Sequence, residues 1–138
     1  MPEQLIIIQG KPIGKARPRF SRAGAYVKVY SAQAKIEKQI AKEIRLQWKN
    51  KPLECPVIAE FTFCMPITKA SKKIVADMLN GLTRHIKKPD CSNMVKMYED
   101  CANGIVWKDD SHIWGIDAQK IYSLEPKTII KVKWEEPW

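Results

Sequence analysis

A chain of 138 residues, 45% of them hydrophobic and five of them Trp, has the length and composition of one folded domain rather than a disordered tail. No apolar run approaches the roughly 18 residues that a membrane-spanning helix needs. The net charge of +9 is unevenly placed: residues 1–53 hold 12 Lys and Arg against 3 Asp and Glu, residues 54–138 hold 12 of each. The whole surplus therefore lies in the first two-fifths of the chain, which points to a polyanionic partner, nucleic acid first.

The start, MPEQLIIIQGKP, lacks the basic leader and long apolar core of a secretion signal, so a cytoplasmic setting is expected. Cys55, Cys64, Cys91 and Cys101 show no CxxC spacing and are expected as reduced thiols. Leu5–Ile8 has the length of a short apolar strand. In GKPIGKARPRFSRAG, Gly and Pro exclude a helix interior and most other residues are basic, so a basic loop is expected. Tyr26–Tyr30 (YVKVY) resumes as strand. Ser31 is placed to cap a helix running to about Trp48, with Ile36, Ile40, Ile44 and Trp48 as its buried stripe and Lys35, Lys38, Lys42, Arg45 and Lys49 on the other faces.

Pro56–Met65 alternates as a strand with at least one buried face. Thr68 is expected to cap the short helix KASKKIVADML, which Asn80-Gly81 stops. Arg84–Lys88 is expected extended, because Pro89 disfavours helix at Lys88. A further helix starts at Ser92 or Asn93 and stops at Asn103-Gly104, and His112–Ser123 and Thr128–Trp134 read as strands. The order gives an α+β domain, 1–138, with a mixed or antiparallel sheet packed by about three helices.

The stretch KPDCSNMVKMYEDCANGIVWKDDSH carries five carboxylates in an otherwise basic protein. Met94, Met97, Tyr98, Cys101 and Ile105 share the face that would pack on the sheet, and Ser92, Lys96 and Asp100 lie opposite at i, i+4, i+8. If Asp109-Asp110 folds back beside the helix start, Asp90, Asp109 and Asp110 converge. Converging carboxylates need a cation between them, and their hard oxygens suit Mg²⁺ with a phosphate substrate. Such an ion can activate a water and stabilise charge on a phosphodiester, so a basic chain with this cluster has the signature of a nuclease. The bland alternatives are an Asp serving as a helix cap and an Asp-Asp pair simply solvated in a loop. A zinc site from Cys91, Cys101, His85 and His112 matches no common spacing. A PD-(D/E)xK nuclease pattern, Pro89-Asp90 with Glu125 and Lys127, has Pro126 where a strand is required.

The run KPDCSNMVKMYEDCANGIVWKDDSHI resembles the signature of RusA-type Holliday-junction resolvases, approximately KPDxDNLxKxxxDALNGxxxxDDxQ. GKPIGKARPRFSR is similar to that family's opening, GxPxxKxRPRfsr, and the Lys-rich KASKK ahead of the motif is a further common feature. The similarity keeps its order from about Gly10 to Asp117. It implies a RusA-like homodimer of small α/β protomers that cuts four-way DNA junctions with Mg²⁺ (Mn²⁺ as the other candidate), in bacterial or phage recombination and repair, with no small-molecule cofactor. Two symmetric cuts need two active sites related by a twofold axis.

Carried over, the family's acidic positions fall on Asp90, Ser92 and Asp110, with Asp109 adjacent, and its lysine on Lys96; Asn93, Asp100 and Gly104 also match. The expected catalytic set is Asp90, Ser92, Lys96 and Asp110, and the expected metal ligands are Asp90, Asp109 and Asp110. Ser92 departs from the pattern, since a serine there offers a neutral oxygen in place of a carboxylate. Three accounts follow: another acid compensates or a water bridges from Ser92; the protein binds junctions and cleaves poorly; or Ser92 serves as the helix cap. Candidate DNA contacts are Lys15, Arg17, Arg19, Lys69, Lys72, Lys73, Lys87 and Lys88, gripping phosphates. Phe20 is a candidate for base stacking, whereas Trp107, in the apolar IVW, is expected in the core. A non-catalytic DNA-binding protein of the same fold is the alternative reading. An RNA-binding module is weaker, since no ribonucleoprotein-type aromatic motif is visible.

Overall fold

A computed structural model describes residues 1–16 and 33–136 in full, and of the intervening stretch only the backbone of residues 19–23 and 26–30. The elements run β1 (Glu3–Gln9), β2 (Arg19–Ala23), β3 (Tyr26–Tyr30), α1 (Ala34–Gln47), β4 (Val57–Pro66), α2 (Lys72–Leu79), α3 (Cys91–Ala102), a single 3₁₀ turn (Asp110–His112), β5 (Ile113–Ser123) and β6 (Lys127–Trp134). The main sheet has the order β1-β6-β4-β5 and is mixed: β6 is antiparallel to β1 and β4, and β5 is parallel to β4. The parallel pairing requires a crossover between β4 and β5, and that crossover is made of α2, α3 and the loops carrying the acidic stretch. The α+β expectation holds, with a mixed sheet and three helices.

β4 shows why the core forms where it does. Val57, Ala59, Phe61, Phe63 and Met65 are all buried, one face of a ten-residue strand with period 2. In register beside them, β6 supplies Ile130, Val132 and Trp134, and β1 supplies Ile6 and Ile8. Against this face pack Ile40, Ile44 and Trp48 from α1 and Met94, Met97, Tyr98 and Cys101 from α3. Tyr98 lies 5.8 Å from Phe63 centroid to centroid, and Trp48 meets Trp134 edge-on at 5.6 Å. Each such aliphatic side chain contributes about 1.5–3 kcal/mol through burial, so the inner stripe of α3 fixes that helix on the sheet and turns its other stripe outward.

Several expectations need correction. The GKPIGKARPRFSRAG segment is not all loop: Arg19–Ala23 pairs antiparallel with Tyr26–Tyr30 as a separate two-stranded sheet. A strand needs a partner, which the composition of the loop does not reveal. Ser31 lies outside the described residues; α1 begins at Ala34 with Gln33 at its N-cap position. Ile36 is 48% exposed because it stands at the edge of the core, flanking an apolar recess with Ile8 and Ile13. Ser71, not Thr68, caps α2, since its hydroxyl accepts the Ile74 N–H at 3.3 Å; Lys69 and Ala70 remain outside the helix. Residues 84–88 are neither helix nor strand, in keeping with the exclusion of helix before Pro89. Asp90, not Ser92 or Asn93, holds the N-cap position of α3. Trp107 is fully buried, as expected of a core residue.

Candidate active site

Three elements bring the charged residues together: the N-terminal half of α3, the segment 13–16 that leads into β2, and the loop between α3 and β5. The last is anchored by Trp107. α3 stops where Gly104 takes φ +81°, a conformation that favours glycine. The Gly104 N–H then donates to the Trp107 carbonyl, and Leu53 is laced to the same loop through Leu53 N–H to Val106 O and Lys108 N–H to Leu53 O, at 2.8 and 2.9 Å. Asp109 and Asp110 follow directly. Asp109 is spent locally, its carboxylate accepting the Ser111 N–H at 3.1 Å at the head of the 3₁₀ turn. That hydrogen bond holds its carboxyl below the usual aspartate value. Asp110 instead meets Glu99 of α3, the two carboxyls hydrogen-bonded to each other. Burial, then the bond to and the charge of Asp110, push the Glu99 carboxyl up to about 7.

At the other end of α3, Asp90 is exposed and makes no side-chain capping bond, so its carboxylate is free for another partner. With Ser92, Asn93, Lys96 and Lys15 it lines an open recess of about 420 Å³. Ser92 is exposed there in the first turn of the helix. Lys96 reaches from the recess to Asp100, one turn on, at 3.1 Å. That hydrogen bond raises the Lys96 ammonium above the ordinary lysine value. Lys15 also contacts Asp100, at 3.4 Å, and Glu37 of α1, at 2.5 Å. Burial works against its charge, but Glu37 and Asp100 hold it protonated above the ordinary value. Glu37, Lys15, Asp100 and Lys96 thus form one chain of alternating charge across α1, the N-terminal segment and α3.

The N-terminal segment is pinned by its backbone as well. Ile13 N–H donates to the Tyr98 hydroxyl, Lys15 N–H to Asn93 O, and Ala16 N–H to Gln33 Oε1, while Gln33 Nε2 donates to Gly14 O. Gly14 is needed for this fit, because a Cβ there would lie 2.6 Å from Asn93 Nδ2 and 3.1 Å from Pro89 Cβ. Lys120 of β5 pins the segment before Asp90, its ammonium donating to Lys87 O at 2.8 Å and Pro89 O at 3.2 Å. It thereby fixes the loop that carries Asp90.

The expected convergence of Asp90, Asp109 and Asp110 is not what the structure forms. Among the described residues no three His, Cys, Asp or Glu side chains come together as a group able to hold a metal ion. The reason is local: Asp109 caps the 3₁₀ turn, Asp110 pairs with Glu99, and Asp90 lies in a recess that neither of them lines. The zinc grouping is absent too, Cys101 being buried and the His85 ring tilted against Tyr122 at 58°. Lys69, Lys72, Lys73, Lys87 and Lys88 are all exposed. Lys15 is half-buried and doubly paired. Arg17 and the side chains of Arg19 and Phe20 lie outside the described residues.

Glu37, Glu99 and Lys120 were not singled out from the sequence. Glu99 follows Ser92 and Lys96 at i+7 and i+3, so its place on their side of α3 was legible. Lys120 stands between Ala118 and Tyr122 in an inward-facing register, where a charge is anomalous. Glu37 had no local signal.

An α+β domain that sets two lysines, an aspartate, a serine and an asparagine around one open recess has the character of a phosphodiester-handling enzyme. The model of the endodeoxyribonuclease RusA family matches residues 9–133. The chain belongs to the RusA endodeoxyribonuclease family and is by that membership an endonuclease. It is also 30% identical over 131 residues, 91% of this chain and 92% of the relative, to YqaN of Bacillus subtilis (strain 168), described as an uncharacterized protein. Among the described residues no helix is long and apolar enough to cross a membrane.

Nucleases of this kind imply a divalent metal, and the donor set can be tested against one. The oxygens present are hard carboxylate and hydroxyl donors, of the kind Mg²⁺ takes. Mg²⁺ commonly uses only one or two carboxylates and fills its shell with water and substrate phosphate. The residues fit an ion completed by substrate, not one caged by protein alone.

Proposed function

We propose that the chain is a Mg²⁺-dependent endonuclease that cuts four-way DNA junctions as a homodimer, serving recombination and repair. The observation that carries this reading is the recess in which Asp90, Ser92, Asn93, Lys15 and Lys96 face one another at the start of α3, in a member of the RusA family. Asp90, whose carboxylate is free at the recess, is the residue proposed to hold the metal there; Asp110, the second ligand that the family pattern implies, would have to leave Glu99 to join it. When bound there, Mg²⁺ supplies positive charge against the scissile phosphate and favours the attacking water. Lys96 sets an ammonium beside the phosphate, where it offsets charge developing in the transition state. Its pairing with Asp100 orients it before substrate arrives. Ser92 offers a hydroxyl where the family pattern has a carboxylate, and its exposure in the recess leaves it able to accept a water. Exposed Lys69, Lys72, Lys73, Lys87 and Lys88, with Lys15, Arg17 and Arg19, would grip phosphates.

The test is cleavage of an end-labelled synthetic four-way junction with Mg²⁺ or Mn²⁺ by the native chain, Asp90→Asn and Ser92→Asp. Paired symmetric nicks that vanish in Asp90→Asn, with junction affinity retained, are expected. Equal cleavage by Asp90→Asn would refute the site. One observation favours a second reading, a junction-binding protein that cleaves weakly: the neutral Ser92 at an acidic family position. Under that reading Ser92→Asp raises cleavage at least tenfold.

A further inference from the structure

Lys35, Lys38, Lys42 and Arg45 recur on α1 at i, i+3, i+7 and i+10, which places them in one stripe on the face opposite the buried Ile40 and Ile44. All four are exposed, and none has a hydrogen-bond or ion-pair partner among the described residues. The acids of the same helix are placed otherwise. Glu37 holds Lys15, and Glu43 lies on the other flank, beside the apolar recess. From Lys35 to Arg45 the stripe is about 15 Å long at 1.5 Å per residue, the axial span of about four nucleotides at 3.4 Å per strand.

The stripe stands beside the active site. Lys38 and Arg45 overlook a cleft of about 410 Å³ between α1 and the end of α3, which Lys15, Asp100, Asn103 and Gly104 also line. Lys15 lines this cleft and the recess of Asp90, Ser92 and Lys96 alike; Glu37 and Asp100 neutralise Lys15 at that junction, so the two openings adjoin and the unpaired cations of α1 stand along the outer rim. A stripe of unpaired, outward cations has the ordinary explanation of a solvated helix face. Its place beside the recess and the lack of any carboxylate partner go beyond that.

We propose that the outer face of α1 is a DNA-binding surface, on which Lys35, Lys38, Lys42 and Arg45 contact successive phosphates of the arm leaving the cut site. This rests on the proposed junction nuclease function. Contacts of this kind position DNA without reading its sequence and act through counterion release, so they govern affinity and its salt dependence rather than the chemical step.

The test compares Lys38→Gln/Arg45→Gln with Lys131→Gln/Lys133→Gln, which lowers the net charge by the same amount on the opposite face of the sheet, where Lys133 is paired with Glu60. Binding of a synthetic four-way junction is measured without Mg²⁺ across 50–200 mM KCl, and cleavage with Mg²⁺ in single turnover at saturating protein. The α1 pair should flatten the plot of log affinity against log salt by about 1.8, at 0.9 per phosphate lost, and weaken binding about thirtyfold at 150 mM. The saturated cleavage rate should stay unchanged, and the sheet pair should bind as the native chain does. Equal losses in both pairs, meaning that net charge alone matters, would overturn the assignment, as would no loss in either. Failure of the native chain to prefer the junction over a plain duplex would instead refute the junction reading, and this surface with it.

Discussion

Glu99 makes the metal-free protein less stable as pH rises through neutrality, and Glu99→Gln should remove that dependence. A glutamate in an unfolded chain releases its proton near the ordinary value of 4.5, whereas in the fold burial and Asp110 delay release to about 7. Between those values the native state binds more protons than the unfolded state, so stability falls as pH rises; below 4.5 the group costs nothing and above 7 the full cost is present. The gap at roughly 1.36 kcal/mol per unit would amount to about 3.4 kcal/mol. The side chain is only half-buried, and solvent screening brings the expectation down to about 1 kcal/mol. His85 works the other way. Burial and then Lys120 lower its titration below 6.5, so it adds stability as pH rises toward 6.5. Both proteins share that contribution, and it cancels in their difference. Lys15 and Lys96 titrate above their ordinary values and stay charged throughout. Urea unfolding of native chain and Glu99→Gln at pH 5, 6, 7 and 8 in EDTA should therefore give a gap that opens from near zero to about 1 kcal/mol in favour of the variant. Curves that stay parallel across this range would refute the reasoning.

Gly14→Ala should cost about 1–3 kcal/mol, the usual cost of forcing a methyl into a packed contact, because its Cβ would lie 2.6 Å from Asn93 Nδ2; urea unfolding measures the loss, and Asn93→Ala in the same chain should recover most of it by making room. Glu37→Gln and Lys15→Met should couple by about 1 kcal/mol in a double-mutant cycle read by the same unfolding, since the pair is partly buried and shares Asp100; strict additivity would mean that the ion pair contributes nothing.

How much of this was legible depended on where each partner lies along the chain. The inner stripe of α3 and the alternation of β4 were readable because both depend on period alone, and the RusA resemblance located Asp90, Ser92, Lys96 and Asp110 because those residues sit at fixed spacing on one short segment. The helix caps were missed by a few residues, since Thr68 and Ser71 both offer a hydroxyl that can accept a backbone N–H and only the folded backbone decides which N–H is in reach. β2 was missed because Arg19–Ala23 is a strand only by virtue of pairing with Tyr26–Tyr30. The convergence of Asp90, Asp109 and Asp110 failed for a related reason: an Asp at the head of a turn has a competing use, and Asp109 takes the Ser111 N–H rather than facing Asp90. Glu37 is the limiting case. It lies 22 residues from Lys15 on a helix whose own pattern gives it no distinction, and only the packing of α1 against α3 gives it a task. The candidate site residues were therefore readable one at a time, while the pairings between them were not. Those pairings also bear on Ser92. Glu99 sets a second carboxyl against Asp110 two turns after position 92, but burial and Asp110 delay its ionisation to about 7, so it does not replace in full the charge that Ser92 lacks.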